Sequence, residues 1–346
     1  MEAIDLFSGG GGATQGLIDA GFRVVASVER DAATAEVHRR NFGKCTINDD
    51  VFAIDYRQFV GVRHLHASPP CQAFSSARDK SLPDHPDKDA GLAVIKAIAQ
   101  CKPITVSLEN VQGYRKSPVY QAITRHLWES GYWVIDKVVN FASYGLPQNR
   151  KRLIMIASRF GMPQLPIESS YRCGWYDAIA DLIPDCPDSE LAEWQLKILD
   201  QFKPVMEKGF LMGNECRSPS FPSLIDPSFT IMASNKNPIT AFVPRCLLPR
   251  GGARMQSVRP YLEKEPSPTL RSMAGWGGSH LFDLVDGLVI KKATPRCLAR
   301  LQSFPDSYRL PMRSGLAVKI IGNAIPPLAM KAIARSLLSC NLSVNH

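Results

Sequence analysis

One thiol stands out among the residues able to do chemistry. In SPPCQAFS, Ser68 to Ser75, Cys71 follows two prolines at the end of the apolar stretch VRHLHA. Each proline fixes its own φ and biases the residue before it toward extended geometry, so the backbone carrying the sulfur is stiff before any ligand arrives. That suits a positioned nucleophile; the competing reading is a buried free cysteine packed as a small hydrophobe. A second cluster, FSGGGGATQGL (Phe7 to Leu17), follows a β-rich run and opens a helical one. Backbone N–H groups there can approach a ligand closely, so a nucleotide-like cofactor is expected. The dinucleotide pattern GxGxxG fails, because its last position is Thr14 counted from Gly9 and Gln15 counted from Gly10, and hydride chemistry loses its main support. Glu29, closing SVER, could accept hydrogen bonds from ribose hydroxyls. Three further polar clusters come later in the chain: Asp49 and Asp50 in NDDV, Glu109 and Asn110 in LENV, and Gln148, Arg150 and Arg152 in LPQNRKRL. Singly, each reads as ordinary turn, strand-end or surface chemistry.

The elements that must hold these groups alternate. AIDLF, VVASVER, VRHLHAS, ITVSLENV, YWVIDKVVNF and RLIMIAS read as strands, and ATQGLIDAG, DAATAEVHRRNF, AGLAVIKAIAQC and SPVYQAITRHLWES as helices. That rhythm predicts a parallel α/β sheet carrying its ligands at the carboxyl ends of the strands. After about Ser158 the texture becomes Pro-rich and irregular, with only ELAEWQLKILDQF reading as a clear helix, so a second domain begins there. Near the end PLAMKAIARSLL is again periodic, a helix able to dock back on the first domain. DPSFTI and EPSPTL resemble each other at an offset of 39 residues, but two copies do not make a repeat architecture.

Composition narrows the function classes. The 346 residues carry a net charge of +9 and 45% hydrophobic residues, ample for a core and suited to a polyanionic partner. Basic residues concentrate between Arg245 and Arg300, where a solvated surface is the bland alternative to a phosphate-facing one. Nine scattered cysteines without a CxxC pair argue against a disulfide framework and a zinc site, so no metal is expected. No uninterrupted apolar run reaches the roughly 20 residues of a membrane span, and MEAIDLF does not read as a secretory signal, so a cytoplasmic protein without a membrane partner is expected.

The order of the clusters is more telling than any one of them. Glycine loop, SPPCQ, ENV, QNRKR and the late IGNAIPP, with TPRCLARLQSFPDSY before it, resemble the cytosine-C5 DNA methyltransferase family in its usual motif order. The likeness covers nearly all of residues 1–157 and about 294–330. It implies a Rossmann-like S-adenosylmethionine-dependent methyltransferase domain with a mostly parallel sheet over 1–157. A smaller irregular target-recognition domain would span 158–293, and a hinge motif and C-terminal helix 294–346 would return to the catalytic domain. By the same resemblance Cys71, after Pro70, is the nucleophile that adds to cytosine C6. Glu109 would hold the N3 and exocyclic amine edge, Arg152 would contact O2, and Asn110 and Arg150 would complete the catalytic set, Arg150 on phosphate or in orientation. Phe7, Ser8, Gly9, Gly11, Glu29, Arg30, Asp50, Pro70 and Asn323 would line the S-adenosylmethionine site, with Asp49 a rival to Asp50 because the family usually has Gly at that preceding position. Because chemistry on a stacked base requires extrusion from the duplex, the loop from Gln72 to Gly91 would close over DNA, with Gln72, Ser75, Arg78 and Lys80 as contacts. Thr269 and Leu270 resemble the family's recognition pair, with Thr230 and Ile231 the rival match. The implied partner is double-stranded DNA, the implied state a nucleoid-associated monomer, and a cognate restriction endonuclease would be a genetic rather than a physical partner. Three alternatives stand beside this reading: a tRNA cytosine-C5 methyltransferase, a nicotinamide oxidoreductase and a non-catalytic DNA-binding relative.

Overall fold

A computed structural model of the chain describes residues 1–70, 89–188, 213–215, 218–220, 246–249, 261–262, 265–267, 282–286 and 289–339. In chain order the strands are β1 (Glu2–Leu6), β2 (Arg23–Val28), β3 (Thr46–Ile47), β4 (His64–Ala67), β5 (Thr105–Asn110), β6 (Trp133–Asn140) and β7 (Lys151–Ser158), followed by β8 (Gly213–Glu215), β9 (Ser218–Ser220), β10 (Cys246–Pro249), β11 (Tyr261–Leu262), β12 (Phe282–Asp286) and β13 (Val289–Lys292). The α-helices are α1 (Gly12–Asp19), α2 (Ala32–Phe42), α3 (Ala93–Cys101), α4 (Pro118–Glu129), α5 (Trp175–Ile179), α6 (Pro295–Leu301), α7 (Ser314–Asn323) and α8 (Pro327–Ser339). The backbone divides into two compact units, one comprising Met1–Tyr144, Lys151–Ser169 and Ala324–His346, the other Gly145–Arg150 and Ser170–Asn323.

The first unit is built on a seven-stranded sheet in the order β3-β2-β1-β4-β5-β7-β6. β1 to β5 run parallel, and β4 and β5 are buried along their whole length, as strands covered by helices on both faces must be. One strand departs from the parallel pattern: β7 is antiparallel to both β5 and β6, so β6 runs in the same direction as β1 to β5. The cause is the connection, since the ten residues between Asn140 and Lys151 are too few for the crossover that a parallel pair needs. Strand order reverses between β1 and β4, so the crevice beyond their carboxyl ends is where a ligand fits in such a sheet.

Local chemistry sets the helix limits. Asp31 caps α2 by accepting the Thr34 N–H at 2.9 Å, and Ser117 caps α4 by accepting that of Tyr120 at 3.1 Å with Pro118 in the first turn. Helix α1 packs on α8 through its glycines. A Cβ at Gly12 would lie 2.3 Å from the Ile325 carbonyl oxygen, and one at Gly16 would lie 2.5 Å from that of Pro327. Ser314–Leu338 is apolar and long enough by composition to cross a bilayer, but its helix is interrupted between Asn323 and Pro327, and 56% of its apolar 18-residue window is buried in the protein.

In the second unit the strands form an antiparallel sheet ordered β11-β10-β12-β13 and a β8–β9 hairpin. Buried Trp175 of α5 and Cys297, Leu298 and Leu301 of α6 belong to its core. The helix expected over ELAEWQLKILDQF lies outside the described residues.

Candidate active site

The glycine loop leaves β1 through a left-handed turn. Phe7, Gly9 and Gly11 have φ of 59°, 54° and 90°, a region costly for Phe7 and natural for the two glycines. Space decides Gly11 as well, because a Cβ there would lie 2.1 Å from the Phe42 ring. At Gly9 the same atom would meet nothing within 4 Å among the described residues, so the loop is open there. Glu29, just past β2, reaches this loop: its Oε2 accepts the Gly9 N–H at 3.0 Å and its Oε1 the Asp31 N–H at 2.7 Å. Ser8 Oγ is buried with no hydrogen-bond partner among the described residues.

A buried polar chain supports the loop from behind. Thr14 Oγ1 donates to Asp5 Oδ2 at 2.7 Å and lies 3.1 Å from Ser27 Oγ and 3.0 Å from His38 Nε2, while His38 Nδ1 is 2.7 Å from Thr46 Oγ1. Burial pushes the Asp5 carboxyl up to about 7, although its bond from Thr14 pulls the other way. Burial likewise holds His38 down to about 4, so its ring is neutral near pH 7.

Past β3, Asn48 Nδ2 donates to the carbonyls of Glu29 and Arg30 at 2.9 and 3.0 Å, tying the next turn to the end of β2. In that turn Asp49 Oδ1 accepts the Asp50 N–H and Asp50 Oδ1 the Phe52 N–H, with Asp49 exposed and Asp50 half-buried.

The segment after β4 cannot anchor itself, because Pro69 and Pro70 have no N–H to donate. Ser68 N–H donates to the Leu6 carbonyl at 3.2 Å, and Asn110 Nδ2 donates to the Pro69 carbonyl at 3.0 Å. Asn110 therefore acts on the segment leading to Cys71 as an anchor. Glu109, beside it at the end of β5, meets Arg152 at the start of antiparallel β7, with Nε to Oε1 at 3.0 Å. The two side chains are only 14% exposed for Arg152 and 7% for Glu109, so the pair is held with little water. The antiparallel turn of β7 makes this meeting possible, since it brings the first residues of β7 beside the last of β5.

Not every expected site residue joins this edge. Arg150 is buried in the second unit, where its guanidinium donates to the Gly322 carbonyl at 3.0 Å, next to Asn323 at the end of α7. Gln148 is also buried there, donating to Gln302 Oε1 at 2.7 Å. Cys71, Gln72, Ser75, Arg78, Lys80, Thr230, Ile231, Thr269 and Leu270 lie outside the described residues. No group of three or more His, Cys, Asp or Glu suited to a metal occurs among the described residues.

Residues 1–339 match the family model described as C-5 cytosine-specific DNA methylase. The chain belongs to that family. This methyltransferase is 27% identical to the type II methyltransferase M.XorII of Xanthomonas oryzae pv. oryzae, over 97% of the present chain and 84% of that protein. It is 28% identical to M1.HphI of Haemophilus parahaemolyticus, over 99% and 87% of the two chains. Its fold is also similar to the crystal structure of the S. pombe Dnmt2 methyltransferase, with a TM-score of 0.61 at 16% identity and complete coverage of both chains. Membership makes the protein an S-adenosylmethionine-dependent enzyme that methylates cytosine C5 in DNA. The first unit fits such a cofactor chemically. An acceptor carboxylate stands at Gly9, the loop over Gly9 is open, and the buried Ser8 hydroxyl lacks a partner among the described residues.

Proposed function

We propose that this enzyme methylates a cytosine within one recognised sequence of duplex DNA, with Cys71 as the nucleophile that adds to C6 of an extruded base. The observation that carries the reading is the reversal of strand order between β1 and β4, which gives one sheet edge both the glycine loop and the Ser68–Pro70 segment, with Glu109 and Arg152 on the neighbouring strands β5 and β7. Cytosine C5 is a poor nucleophile, and thiolate addition at C6 makes it enamine-like. Bound S-adenosylmethionine supplies the electrophilic methyl group. Glu109 holds the N3 and exocyclic amine edge of the base, and Arg152, already paired with Glu109, serves O2. Phe7, Ser8, Gly9, Gly11, Glu29, Arg30, Pro70 and Asn323 form the cofactor set, with Glu29 on the ribose. Asp50 takes the adenine amine in preference to Asp49, being the less exposed of the two.

Base reading is assigned to 158–293, with Thr269 and Leu270 in it, and closure over DNA to Gln72, Ser75 and Arg78. The enzyme acts as a cytoplasmic, nucleoid-associated monomer whose cognate endonuclease is a genetic partner. The test is transfer of a radiolabelled methyl group to duplex DNA and to tRNA in parallel, with bisulfite sequencing of the product. Label at cytosine C5 of one DNA sequence, lost in Cys71→Ser, is expected. Label at adenine N6 or cytosine N4, or tRNA as the better acceptor, overturns the proposal.

A further inference from the structure

The stretch VRHLHA hides a second buried polar chain. His64 and His66 lie on the same face of β4, opposite Thr105 and Ser107 of β5. His64 Nδ1 is 2.9 Å from Thr105 Oγ1, His64 Nε2 is 3.0 Å from Ser107 Oγ, and Ser107 Oγ is 2.8 Å from His66 Nδ1. The chain ends at the surface side, where His66 Nε2 is 3.0 Å from Ser68 Oγ. Ser68 is half-buried, whereas both histidines, Thr105 and Ser107 are buried.

The inner end sets the direction of every bond. Thr105 Oγ1 donates to the Arg63 carbonyl at 3.3 Å, a long bond because that oxygen also takes the N–H groups of Ile104 and Thr105. A carbonyl has no proton to give, so Thr105 Oγ1 must accept from His64 Nδ1–H. His64 Nε2 is then an acceptor for the Ser107 hydroxyl proton, Ser107 accepts from His66 Nδ1–H, and His66 Nε2 accepts the proton of Ser68. Burial holds both imidazoles down to about 3, in keeping with two neutral rings. The chain stops at a backbone carbonyl and so offers no exit for a proton. Its effect is to fix Ser68 in place.

Fixing Ser68 matters because it leads directly into the nucleophile segment. With two prolines ahead of Cys71, the described bonds on the segment are those of the Ser68 N–H, the Asn110 amide and the Ser68 hydroxyl. We propose that His66 and Ser68, locked by His64, Thr105 and Ser107, are positioning residues that hold the backbone of the nucleophile segment in register for attack. This rests on Cys71 as the nucleophile.

The experiment compares Ser68→Ala, Ser68→Thr and Cys71→Ser with the full-length wild type, reading single-turnover methyl transfer, DNA affinity and thermal stability. It adds nitrogen-15 spectra of the wild-type histidines. Ser68→Ala is expected to slow transfer about tenfold with DNA affinity within about twofold of wild type, since small misplacement of a reacting group is costly to rate. Ser68→Thr keeps the hydroxyl and recovers at least half of that loss. His64 and His66 are expected as Nδ1–H tautomers. An unchanged rate in Ser68→Ala beside an inactive Cys71→Ser, an equal loss in Ser68→Thr, or Nδ1–H at His64 beside Nε2–H at His66, which would ask the one Ser107 hydroxyl for two protons, overturns the positioning role. An active Cys71→Ser would instead overturn the nucleophile assignment and leave the tautomer result standing by itself.

Discussion

Asp5→Asn isolates the cost of holding a carboxyl behind the cofactor loop. Asp5 is fully buried, one oxygen accepts from Thr14 at 2.7 Å, and Oδ1 has no partner among the described residues. Its folded-state pKa stands at about 7, against about 3.9 in an unfolded chain. Because the folded value is the higher, the native state binds the extra proton, and Asp5 contributes stability at low pH that is lost as pH rises from about 4 through about 7. Three pH units correspond to about 4 kcal/mol in total, of which about 2.5 kcal/mol falls between pH 5 and pH 8. Asparagine can still accept from Thr14 and does not titrate. The difference in unfolding free energy between Asp5→Asn and wild type should therefore move by about 2.5 kcal/mol in favour of the variant between those two pH values. Urea unfolding of both proteins at pH 5 and pH 8 measures it, and the subtraction cancels every other titrating group. A difference that stays constant, or moves toward the wild type, refutes the reasoning that desolvation dominates at Asp5.

Two further substitutions test the packing and the ion pair. Gly16→Ala places a methyl group 2.5 Å from the Pro327 carbonyl and 2.6 Å from Met330 Cβ, an overpacking cost of about 1 to 3 kcal/mol only partly offset by the better helix propensity of alanine, about 1 kcal/mol. Its melting temperature should fall by a few degrees, and a rise would show that α1 and α8 are not so closely joined. Arg152→Met leaves Glu109 buried without its partner, so the unfolding free energy should drop by about 3 kcal/mol, with at least half recovered in Arg152→Met, Glu109→Leu. A double variant less stable than the single one would contradict a desolvated pair. Both should be inactive.

Much of this was legible in the sequence because it is local. The alternation of apolar runs gave six of the seven strands of the first unit, missing the two-residue β3, which is too short to show a pattern, and the glycine loop and Glu29 lie where strand ends were expected. What the sequence hides depends on register and on distance along the chain. VRHLHA reads as an apolar stretch, and only the pairing of His64 with Thr105 and His66 with Ser107 turns it into a hydrogen-bonded chain. The signal was present as His-x-His and Thr-x-Ser, yet nothing in either segment says that they are neighbours. Arg150 and Arg152 stand two residues apart and look alike in QNRKR, but one pairs with Glu109 and the other binds a carbonyl 172 positions away. Asp5 likewise gives no hint of its burial or of its bond from Thr14, which is in turn within hydrogen-bond distance of Ser27 and His38.

The central claim, that Cys71 attacks cytosine C6, is tested most directly with duplex DNA carrying 5-fluorocytosine at the target position. Fluorine cannot leave as the C5 proton does, so after methyl transfer the adduct cannot eliminate. With S-adenosylmethionine present, peptide mapping by mass spectrometry should find the DNA joined to Cys71, and to no residue in Cys71→Ser. A normal rate on unmodified DNA without any adduct on the fluorinated one, or an adduct at another residue, contradicts the account.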